Sequence, residues 1–189
     1  GTETPMIPRV GLRMQLSEIL NDLTYYGRGP EENYRDRRTS QFIGEYTTPI
    51  KDLYEPYIRP QENEHRTDIY WCALTTKQKA GLLFIADRTF ELNASNYLLG
   101  SLDSGETIDN GAPRTNETNH RHLTDPQPVK QVDMFIDYRM MGVGGDNSWG
   151  AIAHEPYLIR PGVENAIEYG FSIVPFDKKA DYKNLIYQY

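Results

Sequence analysis

The stretch from Val129 to Gly150 does most to limit what this chain can become. Val132, Met134, Ile136 and Tyr138 recur at every second position inside the strand-like run Val129–Met140, the period of a strand with one buried face. Straight after it come Gly142-Val143-Gly144-Gly145-Asp146-Asn147-Ser148-Trp149-Gly150, four glycines and a Trp in nine residues. Glycine permits positive φ and close backbone approach, so this segment reads as a tight, irregular loop at a strand end. Asp146, Asn147 and Ser148 can bond their own backbone and hold an unusual turn. A large rigid ring at the end of such a loop either plugs the core or stands at a rim as a flat platform. A sugar suits the platform, because its apolar CH face packs on the ring while its hydroxyls take polar partners.

The rest of the chain also reads as strands. Val10, Leu12, Met14 and Leu16 alternate with polar residues; a competing helical reading through Leu12, Leu16, Ile19, Leu20 and Leu23 yields to Arg9, Gly11 and the Asn21-Asp22 turn signal. Ile69–Ala73, Leu82–Ala86, Phe90–Leu92, Tyr157–Ile159 and Tyr169–Val174 complete the set. Short strands punctuated by Gly, Pro, Asn and Asp predict an all-β sandwich rather than alternating β and α units. Fourteen tyrosines suit sheet faces that meet polar neighbours. Ser101–Glu117, poor in apolar residues, reads as a long surface loop. The charged tail Asp177–Tyr189 reads as a frayed or partner-docked extension.

A chain of 189 residues is the size of one domain, able to bury roughly 70% of its unfolded surface. Its net charge of −7 argues against nucleic acid and anionic membrane as partners. Its longest apolar runs fall far short of a membrane span of about 20 residues. The single Cys72 excludes an internal disulfide and does not decide between a cytoplasmic and a periplasmic compartment.

Chemistry-bearing residues are sparse. Glycoside hydrolysis by the retaining route needs two carboxyls roughly 5–5.5 Å apart, and adjacent Glu31 and Glu32 would point to opposite sides of an extended chain. His120 and His122 would share one strand face as two metal ligands might, with His65 or His154 as the only imidazoles left for a third. Without spaced Cys or carboxylate partners, hydrogen bonding to neighbouring strands is the plainer role for both. Gly142–Gly145 lacks the Gly-Lys-Ser/Thr ending of a phosphate loop, and Ser148 has no nucleophile-elbow context. Cys72, beside Trp71 in a strand, reads as a small buried apolar residue.

Four blocks together carry a resemblance: Gly27-Arg28-Gly29-Pro30-Glu31-Glu32-Asn33-Tyr34-Arg35-Asp36-Arg37, Pro56-Tyr57-Ile58-Arg59-Pro60-Gln61-Glu62-Asn63, His120-Arg121-His122-Leu123, and the glycine loop ending at Trp149. In this order and approximate spacing they resemble the C-terminal β-sandwich of family 2 glycoside hydrolases, the large bacterial β-galactosidases, from about Pro8 to Phe176. The resemblance implies an all-β, galactose mutarotase-like β-sandwich over residues 1–176, lacking the upstream strands of the family's domain, followed by the tail 177–189. It implies retaining hydrolysis of terminal β-galactosides such as lactose. The catalytic glutamates would lie on a separate (β/α)₈ barrel of roughly 250 residues that this chain cannot contain, so the chain alone is expected to be inactive. Family enzymes use Mg and Na at sites mostly outside this region, so no cofactor is expected in this chain. The implied partners are the β-galactoside, the remaining domains and, for the full-length enzyme, further copies of itself. The family places the Trp matching Trp149 at the active-site mouth as a sugar platform, which favours the rim over the core for this ring. Within the first block, Gly29-Pro30 sets a turn, Asn33 can bond its own backbone, and Asp36 is expected to pair with Arg35, Arg37 and Arg38. The family often has proline where this chain has Arg35, a departure that bears on the shape of that loop. A stand-alone carbohydrate-binding or assembly module is the alternative to part of an enzyme.

Overall fold

The computed structural model describes residues 6–58, 61–102, 126–147, 150–160 and 167–188. Seven strands, β1 (Arg9–Ser17), β2 (Asp22–Gly29), β3 (Phe42–Pro49), β4 (Arg66–Thr75), β5 (Gly81–Ser95), β6 (Gln131–Met140) and β7 (Phe171–Phe176), form one antiparallel sheet. The order is β1-β6-β5-β4-β2-β3, with β7 also paired to β5. Two single-turn helices accompany them, α1 (Leu99–Leu102) and α2 (Tyr182–Leu185).

Strand β5 organises the sheet. Its first half, Gly81–Ala86, pairs with β7, and its second, Glu91–Ser95, pairs with β6. The other edge of β5 pairs with β4 between Gly81 and Leu92, and the register shifts twice between Arg66 and Trp71. Such irregularities bend a strand and increase its twist. The half-sheet β1-β6-β5 thereby folds over the half-sheet β7-β5-β4-β2-β3, and the sandwich is one sheet bent over on itself with β1 and β3 at its edges. Between the halves lie Leu23, Tyr25, Cys72, Leu74 and Phe84 from one side and Phe90, Leu92, Ala94, Val132, Met134 and Ile136 from the other, all at most 1% exposed.

Most predicted strands appear. Leu82–Ala86 and Phe90–Leu92 are one strand rather than two; the interruption at Asp87–Thr89 falls where β7 gives way to β6 on one edge and where the register with β4 shifts on the other. Tyr157–Ile159 is not a strand: a 3₁₀ turn occupies Glu155–Tyr157. Pro156 explains it, since proline fixes φ and offers no N–H to a ladder. Strands β2 and β3 were not legible, being interrupted by Gly27, Gly29 and Gly44; their state is set by pairing with β4 and with each other. Ser101 and Leu102, the start of the expected surface loop, belong to α1, where Leu102 is buried. Residues 103–117 lie outside the described residues.

The tail is docked on the chain itself. Asp181 caps α2 by accepting from the Lys183 amide. Tyr182, Leu185 and Ile186 pack on Trp71, Ala73, Leu83, Ile85, Val174 and Phe176, on the outward side of β4, β5 and β7.

Candidate functional site

At the end of the sheet where β6 finishes, three of the four sequence blocks meet. The glycine loop begins two residues after β6 and is held by the first block. Asp36 accepts hydrogen bonds from the amides of Val143 (3.2 Å) and Gly144 (2.8 Å). A side chain at residue 142 would place its Cβ 2.6 Å from Asp36 Oδ2, and one at residue 145 would collide with the Ala151 carbonyl. Glycine is needed here for close approach. The loop is tied back by the Gly142 amide, which donates to the Tyr157 carbonyl at 2.8 Å, and by His154 Nε2 with Asp146 Oδ1 at 2.8 Å.

Asp36 therefore does not take the role expected of it. The three arginines find other carboxylates: Arg37 pairs with Glu32 at 2.5 Å, Arg38 with Asp68 at 3.0 Å, and Arg35 lies 4.0 Å from Glu91. Two backbone donors in a fixed loop satisfy the Asp36 carboxylate as well as a guanidinium would.

Glu32 joins the first block to the second. One carboxylate oxygen accepts from Arg37 and from the Tyr57 hydroxyl, and the other accepts from the Glu64 amide at 2.9 Å and from the Tyr34 hydroxyl at 3.3 Å. The Arg37 guanidinium also stands over the rings of Tyr34 and Tyr57, at 5.0 and 5.9 Å. Asn33 bonds locally as expected, donating to the Arg28 and Glu31 carbonyls, and also accepts from the amide and hydroxyl of Thr67. The Gly29–Pro30 bond at the head of this loop is cis. Glu32 thus gathers donors from Tyr34, Arg37, Tyr57 and Glu64 and ties the first block to the second.

Behind the loops lies a buried polar layer, on the outward side of the half-sheet β1-β6-β5. His65 Nδ1 meets Asn93 Oδ1 at 2.7 Å, and Nε2 meets Glu91 Oε2 at 3.0 Å. The same Glu91 oxygen accepts from the Met140 amide at 2.7 Å, fixing the end of β6 just before the glycine loop. Burial alone would depress the His65 pKa; the hydrogen bond and charge of Glu91 override it and hold the imidazole above its ordinary value. Arg9 pairs with Asp137 at 3.2 Å and Glu62 at 2.7 Å, and Arg13 grips Asp133 with two bonds of 2.8 Å. Burial pushes the Asp137 carboxyl up to about 7 and the Glu64 carboxyl up to about 8. Glu64 is also held in the left-handed region at φ 63°, a conformation that costs a non-glycine residue free energy.

His65, Glu64 and Asp137 are at most 1% exposed, which closes these three to a sugar, whereas Arg13 and Glu62 keep part of their side chains in solvent. Cys72 is fully buried, and burial pushes its thiol up, away from nucleophile chemistry. Of the metal-ligand candidates, His65 is engaged as above and His154 faces Asp146; His120 and His122 lie outside the described residues. Among the described residues no group of three or more His, Cys, Asp or Glu is placed to hold a metal ion, and no helix is long and apolar enough to cross a membrane. Ser148 and Trp149 also lie outside the described residues; the loop holding them is described from Gly142 to Asn147 and at Gly150.

A profile described as beta galactosidase small chain matches residues 2–173. The chain belongs to the beta-galactosidase small-chain family. It is 34% identical over 155 residues to a beta-galactosidase of Priestia megaterium, covering 82% of this chain and 14% of that enzyme. The beta-galactosidase of Vibrio cholerae is 32% identical over 158 residues, covering 84% of this chain and 13% of the enzyme, and that of Streptococcus thermophilus is 30% identical over 156 residues, covering 82% and 14%. The chain thus spans about one seventh of the length of these relatives, and the small-chain match is to one part of a larger hydrolase.

Proposed function

We propose that this chain is the C-terminal part of a family 2 β-galactosidase, completing the wall of an active site whose catalytic carboxylates lie elsewhere in the enzyme. The reaction is retaining hydrolysis of terminal β-galactosides such as lactose, and Trp149 offers the sugar a flat apolar platform. The observation that carries this reading is the clasp of Asp36 on the Val143 and Gly144 amides. A platform is useful only if its loop is held before the ligand arrives, since ordering it on binding would consume affinity. Asp36, the Gly142–Tyr157 bond and the Asp146–His154 pair tie that loop down on both sides of Trp149.

The test uses the full-length enzyme. Trp149→Ala should weaken binding of a β-galactoside by about 1–3 kcal/mol, the scale of a lost aromatic contact in a site. Asp36→Ala should give a smaller loss of the same kind, acting through the loop. In the isolated chain Trp149→Ala should move the denaturation midpoint by no more than about 0.5 kcal/mol. Unchanged galactoside affinity in the full-length variant would overturn the platform, as would a loss of about 3–5 kcal/mol of stability in the isolated chain, the cost of emptying a core site.

A further inference from the structure

Beside the bend of β5 lies an open cleft of about 1150 Å³ that the proposed function does not use. Three separate stretches of chain bring guanidiniums to it: Arg35 and Arg38 from the first block, Arg88 from β5, and Arg139 from the end of β6. In a chain of net charge −7, four arginines in one cleft run against the overall balance. Carboxylates line it too, but two of them are already engaged. Asp68 accepts from Arg28 at 2.7 Å and from Arg38 at 3.0 Å; Glu91 accepts from the Met140 amide at 2.7 Å and meets His65 at 3.0 Å. The other two, Asp87 and Glu168, are exposed to solvent. Arg35 is left over. It lies 4.0 Å from Glu91, beyond hydrogen-bond reach, and its Nε is shut off from solvent with no acceptor among the described residues. Burial and then the charge of Arg139 pull its pKa below the ordinary arginine value; Glu91 opposes them and Arg38 adds to them. Like charges gathered without a full set of acceptors cost free energy, and a bound anion removes that cost.

We propose that this cleft binds a phosphate-class oxyanion, gripped by Arg35 and Arg139 and met by the exposed Arg88. Guanidiniums arriving from three stretches of chain suit a tetrahedral dianion, whose oxygens face several ways, whereas a planar carboxylate is filled by one fork. The cleft is larger than inorganic phosphate needs, which leaves room for the group to be carried on a bigger molecule such as a sugar phosphate. The rings of Tyr138 and Tyr169, with centroids 6.1 Å apart, line the same cleft and offer apolar surface to such a carrier.

Inorganic phosphate, titrated calorimetrically into the 189-residue chain at an ionic strength fixed with sodium chloride, should bind at one site. Arg35→Gln with Arg139→Gln should weaken it by about tenfold or more, the weight of one charge-assisted bond. Lys77→Gln with Lys130→Gln removes the same charge from exposed positions outside the cleft and should leave the affinity within about twofold. Tighter binding of glucose 6-phosphate than of inorganic phosphate would identify a sugar phosphate as the source of the group; equal or weaker binding would identify the free ion. Should the arginine variant fail to fold, the unaltered chain decides: the Arg35 Nε–H resonance should shift on adding phosphate and not on adding chloride. Absence of binding, equal weakening by the two double variants, or a phosphate response that spares Arg35 overturns the proposal. Phosphate binding by the chain that is absent from the full-length enzyme overturns it equally, since another part of the enzyme would then fill the cleft.

Discussion

The two outward sides of this sheet differ sharply, although β5 contributes to both. On its first half the outward residues are Leu83 and Ile85, met by Tyr182, Leu185 and Ile186 of the tail. On its second half they are Glu91, Asn93 and Ser95, met by His65, Asn63 and the carboxylates of β6. Both sides are buried, so burial alone does not dictate apolar composition. An apolar cover asks only for area, whereas a polar one requires each donor to find its acceptor. The second arrangement fixes positions more tightly, and it is the one that anchors Met140 and the glycine loop. The side that carries the site is built from hydrogen bonds; the side away from it is built from contact area.

If this contrast holds, the largest effect should come from removing one partner in the polar layer. Glu91→Ala strands His65 Nε2 and the Met140 amide and should cost about 3–5 kcal/mol in a denaturant melt, because breaking a buried pair leaves a charge uncompensated. A cost under about 1 kcal/mol would mean that water replaces the carboxylate freely, and the two sides would then be alike.

The polar layer should also respond to pH. The Glu64 carboxyl rises from 4.5 to about 8 in the fold, so it stays neutral while the unfolded chain ionises. The resulting contribution is fully present below pH 4.5 and is lost as pH climbs through about 8. His65, also raised, acts in the same direction. Glu64→Gln should flatten the fall in stability between pH 5 and 9 by an amount on the order of a few kcal/mol. Identical slopes for the two chains would remove Glu64 from the account.

The smallest effect belongs to the apolar side. Ile85→Val trims one methylene under the docked tail and should cost only about 0.5–1.5 kcal/mol, with no change in pH slope. A pH-dependent penalty there would show that the two sides are coupled through the bend of β5.

Much of the fold was legible from alternation alone. β1, β4 and β6 follow period-two patterns that turn Met14 and Leu16, Cys72 and Leu74, and Val132, Met134 and Ile136 toward one core, while Val174 and Phe176 of β7 are buried on the outward side. The missed strands β2 and β3 are interrupted by glycines and take their state from neighbours distant in sequence. The site was legible as a set of blocks but not as a set of bonds. Asp36 sits among arginines in sequence, yet its partners are amides more than a hundred residues away. Likewise Glu32 stands out in sequence only as the neighbour of Glu31, and Glu91 only as a position within the strand Phe90–Leu92. Only the folded register shows that they tie loops together.

The partner of β1 sets a timetable for the chain. Among the described strands β1 pairs only with β6, and Arg9 lies 131 residues before the Met140 it meets. Strands β2 to β5 can find one another as they are synthesised, through short connections. β1 must wait, its edge bare, until the ribosome has delivered residue 140. Distant pairings of this kind slow folding and leave unpaired edges open to other chains. The glycine loop and its clasp come later still, since Asp36 has nothing to hold before Val143 and Gly144 exist.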